Sequence, residues 1–506
     1  MLIAGGGALL LTACGSSASK ATTTGSLVEA SDPAVERRDA VRRRSGARTV
    51  SATVTAAPVT VNIGGRDVNT WAFGERPGSG GIRATAGDLI DATFVNNLTS
   101  GNTVHWHGIA LRNDMDGVHD LTQPMVEPGA SFRYRFTAPD PGSYWFHPHM
   151  GLELDRGLYA PLIIEDPNEP VAYDVDVTLM LDDWLDGYGR TAEDVLHELQ
   201  QSGDQSGHGG HTGGSSDTND STGMGGMGGM GGPGGMGSMS SGGLVGDVSY
   251  PLHLINGRAP SERDTVIAQP GQRVRIRLIN AGSDTAYRVV VAGHRLTVTH
   301  ADGFPVEPVE VDNVLLGMGE RYDVLVTAAD GAFPIVAVPE GKQDPAGEAV
   351  LRTSSSSAAP ATGSRPAELH GRTLEYSDLA AASSARLVSR APDRTIEVHL
   401  AGGMSGYTHG IDGRSFPDTA PISVAEGERV RMRVVNDTMM FHPIHLHGHT
   451  FQMVDAGSAR KDTVNVLSMS AVEFDIAADN PGQWMLHCHN TYHLETGMAT
   501  VFSYRE

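Results

Sequence analysis

The sequence predicts an all-β chain built from packed β-sandwiches, and three observations carry that expectation. The 506 residues are ample for three domains. Short segments alternate apolar and polar side chains, as in Leu89 to Val95, Phe132 to Phe136, Arg273 to Ile279 and Tyr322 to Val326. Turn residues separate such segments (Gln123-Pro124, Glu127-Pro128-Gly129, Pro141-Gly142), and glycine is abundant while aromatics are few.

Taken in order, residues 1–14 run through an apolar stretch, Leu2 to Leu11, into Cys14-Gly15-Ser16-Ser17. This is similar to a bacterial lipoprotein signal and predicts export, with a lipid anchor at Cys14 in the cell envelope and no spanning helix. Residues 15–50, rich in Ser, Thr and Ala and carrying Arg37-Arg38 and Arg42-Arg43-Arg44, predict a tether. A first domain is expected over 51–168 and a second over 169–352, followed by a Ser/Ala-rich connector over 353–390 and a third domain over 391–506. The net charge of -23 argues against nucleic acid as a partner and favours cationic reductants by steering.

The chemistry lies in the histidines. With 21 of them in 506 residues, roughly one His-x-His should arise by chance. Four separate pairs occur: His105/His107, His147/His149, His445/His447 and His487/His489. The last pair brackets Cys488, one of only two cysteines. Along a strand, Cys488 points to one face and His487 and His489 to the other. His493 and Met498, brought back by a turn containing Gly497, can join Cys488. His442, three residues before His445, falls on the Cys488 face of its own strand. Two imidazoles, a thiolate and a weak axial thioether describe a blue-copper electron-transfer site, and eight further imidazoles suit copper better than hard cations. His449 shares the parity of His447 but is left out of the ligand set. His253, His294 and His300 are read as structural, and Phe441, Phe451 and Trp484 as packing.

These motifs resemble the multicopper oxidases, from about residue 50 to the C-terminus. The resemblance implies three cupredoxin-like Greek-key β-sandwich domains and four copper ions. Type 1 copper would be held by His442, Cys488, His493 and Met498, and type 2 by His105 and His445. The type 3 pair would be held by His107, His147, His149, His447, His487 and His489. It further implies one-electron oxidation of a reductant, Cu(I) or a phenolic or aromatic donor, coupled to reduction of dioxygen to water, with Cys488 as the electron relay. A methionine at 498 favours easily oxidised donors. Asp116 matches an acidic residue that delivers protons in relatives; its plain alternative is a turn Asp before Gly117. Where several bacterial members carry Glu directly after the last His ligand, this chain has Leu494 and then Glu495. The Asn113-Asp114-Met115-Asp116-Gly117 and Met439-Met440-Phe441-His442-Pro443 runs, with the acylation-like N-terminus, are similar to actinobacterial lipoprotein copper oxidases and imply a role in copper tolerance.

Within the second domain, the Gly/Ser-rich insert 205–243 carries Met224, Met227, Met230, Met236 and Met239. Thioethers select Cu(I), so the insert reads as a Cu(I)-gathering loop or as an inert linker. Two other functions compete with a copper-tolerance oxidase: a general laccase acting on phenols, and a non-catalytic copper-sequestering envelope protein. Dioxygen consumption separates the last from the others.

Overall fold

Burial alternates along Leu89–Asn96, Arg429–Asn436 and Ala471–Ala477, so each strand gives one face to a core and one outward. The computed structural model describes residues 25–206, 243–354, 357–402, 406–454 and 457–506. Among these residues, six sheets pair into three β-sandwiches, the architecture that the alternation and turn residues predict.

The three sandwiches repeat one topology. In each, the first long strand runs parallel to a later neighbour: Thr49–Ile63 beside Leu89–Asn96, Val175–Trp184 beside Arg273–Asn280, and Arg394–Gly402 beside Arg429–Asn436. In each, a short strand of the facing sheet runs parallel to the domain's closing strand: Ile82–Thr85 with Ala160–Glu165, Thr265–Ile267 with Gly347–Arg352, and Ile422–Val424 with Ala499–Tyr504. The remaining ladders are mostly antiparallel, so strands distant in sequence lie side by side.

Two connecting segments pack onto the body. The stretch expected as a tether packs onto the body from residue 25 onward. Asp32 caps a helix at Pro33–Arg42 and accepts a hydrogen bond from Ala34 N at 2.7 Å. The buried Asp39 carboxylate accepts from Thr137 N at 2.8 Å. Two arginines of the stretch pair with the body, Arg38 with Asp479 and Arg44 with Asp88. Arg42 donates to the carbonyls of Ala110 and Leu111 and to Asn480 Oδ1, tying the first domain to the third. The stretch is therefore a strap. Likewise the connector is docked: Leu374, Tyr376, Leu379 and Ala381 are buried, and Tyr376 donates to Glu320 at 2.7 Å.

The signal-like residues with Cys14, and Met224, Met227, Met230, Met236 and Met239, lie outside the described residues. Among the described residues, no helix is long and apolar enough to cross a membrane.

Candidate metal centre

Strand pairing brings the histidines together. In the third domain, His442–Leu446 lies antiparallel to Gln483–Cys488, setting His445 opposite His487 and Ile444 opposite Cys488. In the first domain, His105–His107 pairs with Gly142–His147, setting His105 opposite His147. The two domains then meet across these strands. His105 stacks on His447 with ring centroids 3.7 Å apart, and His107 on His445 at 3.8 Å. All eight imidazoles are buried.

Backbone and carboxylate acceptors fix which nitrogen of each ring faces inward. Nδ1 of His105, His147, His445 and His487 lies 2.7–3.0 Å from the carbonyls of Asp116, Pro148, Asp462 and Cys488 respectively. A carbonyl only accepts, so these rings carry the proton on Nδ1 and direct Nε2 inward. His447 Nδ1 lies 2.9 Å from Asp116 Oδ2 and turns its Nε2 inward in the same way. The Nε2 atoms of His149 and His447 stand 3.4 and 3.0 Å from Nε2 of His487, three donors converging on one point. His107, His147 and His489 form a second group, with His489 4.8 and 5.2 Å from the other two rings. Burial holds the pKa of His107, His147, His149, His447, His487 and His489 well below the ordinary value, so these rings are neutral donors at pH 7.

On the opposite face of the same strand, Cys488 Sγ lies 3.6 Å from His442 Nδ1 and 3.5 Å from His493 Nδ1. Met498 is buried beside Cys488, and its carbonyl accepts from Cys488 N at 3.0 Å. The outer nitrogens are engaged: Thr438 Oγ1 is 2.8 Å from His442 Nε2, and Asp247 Oδ2 is 3.1 Å from His493 Nε2. Burial disfavours charge on His493, yet its hydrogen bonds to Asp247 and Cys488 outweigh that and raise its pKa to about 10. His493 is delivered by a short helix, Thr491–Glu495, where a simple turn was expected. The Asn490 side chain caps it by accepting from Tyr492 N and His493 N.

Residues 55–169, 176–356 and 389–506 each match a family described as multicopper oxidase. Multicopper oxidase MmcO of Mycobacterium tuberculosis is 46% identical over 98% of this chain and 94% of its own. The chain is a multicopper oxidase. A copper resistance protein A homolog of Pseudomonas syringae pv. tomato is 30% identical, over 82% of this chain and 86% of its own. The crystal structure of a multi-copper oxidase from Pseudomonas thermotolerans shares the fold, with a TM-score of 0.66 at 24% identity over 91% of this chain and 99% of its own. As a multicopper oxidase, the protein is an oxidoreductase with dioxygen as acceptor.

The two clusters fit the family's type 1 and trinuclear copper sites. His105 Nε2, His107 Nδ1, His147 Nε2, His445 Nε2 and both nitrogens of His489 are buried without a protein partner, which bound cations would satisfy. Every histidine singled out in the sequence as a ligand lies in one of the two groups. His449 turns away and pairs with Tyr504 Oη at 2.6 Å. Asp116 is fully buried, with Oδ2 2.9 Å from His447 Nδ1 and Oδ1 3.2 Å from His105 Nδ1. A cavity of about 260 Å³ reaches His147, His149, His487 and His489, with Leu494 and Glu495 on its wall. Glu495 thus places an acidic residue at this cavity although 494 is leucine. Sequence reasoning missed Asp247, Asp462, Thr463 and His409, whose ring stacks on His493 at 4.2 Å. No local pattern marks them, because each becomes significant only through its tertiary partner.

Proposed function

We propose that this multicopper oxidase takes electrons from Cu(I) and from phenolic or aromatic donors, and that it serves copper tolerance in the cell envelope, anchored at Cys14. We assign type 1 copper to His442, Cys488, His493 and Met498, type 2 to His105 and His445, and the type 3 pair to the other six histidines, four coppers in all. Copper held there supplies the one-electron oxidations and the four-electron reduction of dioxygen. The observation that carries the reading is Cys488, which belongs to one cluster while its neighbours His487 and His489 belong to the other. One residue of backbone thus offers a short covalent electron path between the two.

The protein's own groups have separable tasks. Asp247 accepts from His493 at the outer edge of the type 1 cluster, where a carboxylate can attract a cation or take a phenol's proton. Asp116 orients His447 and His105 and is the candidate proton relay, with Glu495 on the cavity wall as a second carboxyl. For the Met-rich insert we favour Cu(I) gathering. Met239 lies eight residues before Asp247, so the run of thioethers leads in sequence toward the type 1 cluster. The copper resistance protein among the relatives supports the same role.

Oxygen uptake tests this, with Cu(I) or a simple phenol as donor, in the wild type and in a variant lacking residues 223–243. Loss of Cu(I)-driven uptake with phenol oxidation spared is the expected result. Equal survival of both activities would reduce the insert to a linker and favour a general laccase. Copper binding without any dioxygen consumption would leave a sequestering protein.

A further inference from the structure

The middle domain provides none of the histidine pairs, yet its Gly319 lies against the eight-histidine cluster and its Arg321 grips a residue directly behind it. Gly319 (φ +82°) lies so close that a Cβ there would stand 2.9 Å from His489 and 3.0 Å from His107. Arg321, two residues on and fully buried, donates to Asp462 through both terminal nitrogens, at 2.6 and 2.7 Å. Its Nε donates to the Ser143 carbonyl of the first domain at 3.0 Å, so one guanidinium joins all three domains. Asp462 is equally buried and stands directly behind two cluster rings. Its carbonyl accepts from His445 Nδ1 at 2.9 Å, and its Oδ1 lies 3.4 Å from His107 Nε2. Thr463 donates its hydroxyl to Asp462 Oδ1 at 2.9 Å, leaving its oxygen to accept from His107 Nε2 at 3.3 Å. Acceptors on that side require His107 to carry its proton on Nε2, which frees Nδ1, the buried nitrogen without a partner.

We propose that Arg321 is a positioning residue of the copper cluster: by gripping Asp462 it locks His107 and His445 in the two different tautomers that aim Nδ1 of one and Nε2 of the other inward. The inference rests on the ligand assignment above and deepens it. Gly108, in His-Trp-His-Gly, fits the same arrangement. At φ +86° its Cβ would stand 2.5 Å from Arg321 Nη2 and 2.7 Å from Asp462 Oδ2, so glycine leaves room for the pair. The planar fork suits this task, since two parallel hydrogen bonds set the angle of the carboxylate as well as its place.

The test uses the full chain loaded with copper, comparing wild type with Arg321→Met, Arg321→Lys and the isosteric Asp462→Asn. Copper per chain, the type 2 electron paramagnetic resonance spectrum and the visible absorption of the Cys488 site are measured alongside thermal unfolding. Removal of the fork should weaken copper at the cluster about 10–100-fold and alter the type 2 spectrum while the Cys488 absorption persists. Arg321→Lys, which keeps the charge but not the fork, should fall between. Arg288→Met, which breaks a middle-domain pair with Glu340, controls for plain destabilisation and should leave the cluster intact. A folded Arg321→Met protein with wild-type cluster affinity and spectrum overturns the proposal. If the Arg321 and Asp462 variants do not fold, nitrogen-15 resonances of the histidines in wild-type apoprotein decide: His107 protonated on Nε2 is expected, and protonation on Nδ1 overturns it. A wild-type protein that binds no copper at the eight histidines would instead remove the ligand assignment, and this inference with it.

Discussion

Asp247 holds the outer nitrogen of His493, and the proposed function puts that contact on the side where the reductant arrives. Asp247→Asn removes the negative charge and the base while keeping the shape. It should lower kcat/KM for a phenol on the order of 100-fold, with the KM for dioxygen unchanged. Steady-state kinetics across pH check this; an unaltered pH profile with unaltered kcat/KM would exclude Asp247 from electron entry. The histidine pairs and the cysteine between them are legible in sequence because strand parity and ligand chemistry are local. Asp247 is not legible, since it lies 246 residues from the ring it contacts.

At the scale of elements, the short helix Thr491–Glu495 and the turn Glu153–Arg156 carry separate predictions. The Asn490 side chain caps the helix that delivers His493 and also donates to Asp284 at 2.7 Å. Asn490→Ala should cost about 1–2 kcal/mol and broaden the visible band of the Cys488 site, as measured by thermal unfolding and absorption. Glu153 lies in the turn with one carboxyl oxygen buried and unpaired, and burial pushes its pKa from 4.5 up to about 7. A carboxyl raised in the folded state contributes stability below pH 4.5 that is lost as pH rises through 7. Glu153→Gln should therefore match wild type at pH 4 and gain about 2 kcal/mol at pH 8. Denaturant titration at the two pH values checks it, and a gain of equal size at both would exclude the ionisation. The one-turn helix was not foreseen, because Gly497 and the return to Met498 read equally well as a simple turn.

Across the whole molecule, the cluster exists only where the first and third domains meet, so whatever fastens them governs copper retention. The strap does so through Arg42, which spans Ala110 and Leu111 on one side and Asn480 on the other. Arg42→Ala should cost about 2 kcal/mol by leaving buried acceptors unpaired, and should speed copper loss from the cluster more than from the Cys488 site. Chelator-driven copper release followed by absorption and spin resonance measures both rates; equal acceleration would mean a general loosening.

By itself the sequence determined the all-β class, the histidine pairs around Cys488 and their division between two faces of a strand. Alternation with a period of two and the chemistry of imidazole, thiolate and thioether are properties of neighbouring residues. Tertiary structure alone decided that residues 25–48 form a strap, that the middle domain reaches the cluster through Gly319 and Arg321, and which nitrogen each ring presents. A tautomer is set by whichever acceptor lies behind the ring, and for His107 those acceptors are Asp462 and Thr463 of another domain. A buried ion pair such as Arg321 with Asp462 draws its strength from exclusion of water and from every remaining hydrogen bond being made. Those conditions arise only once all three domains have closed around it.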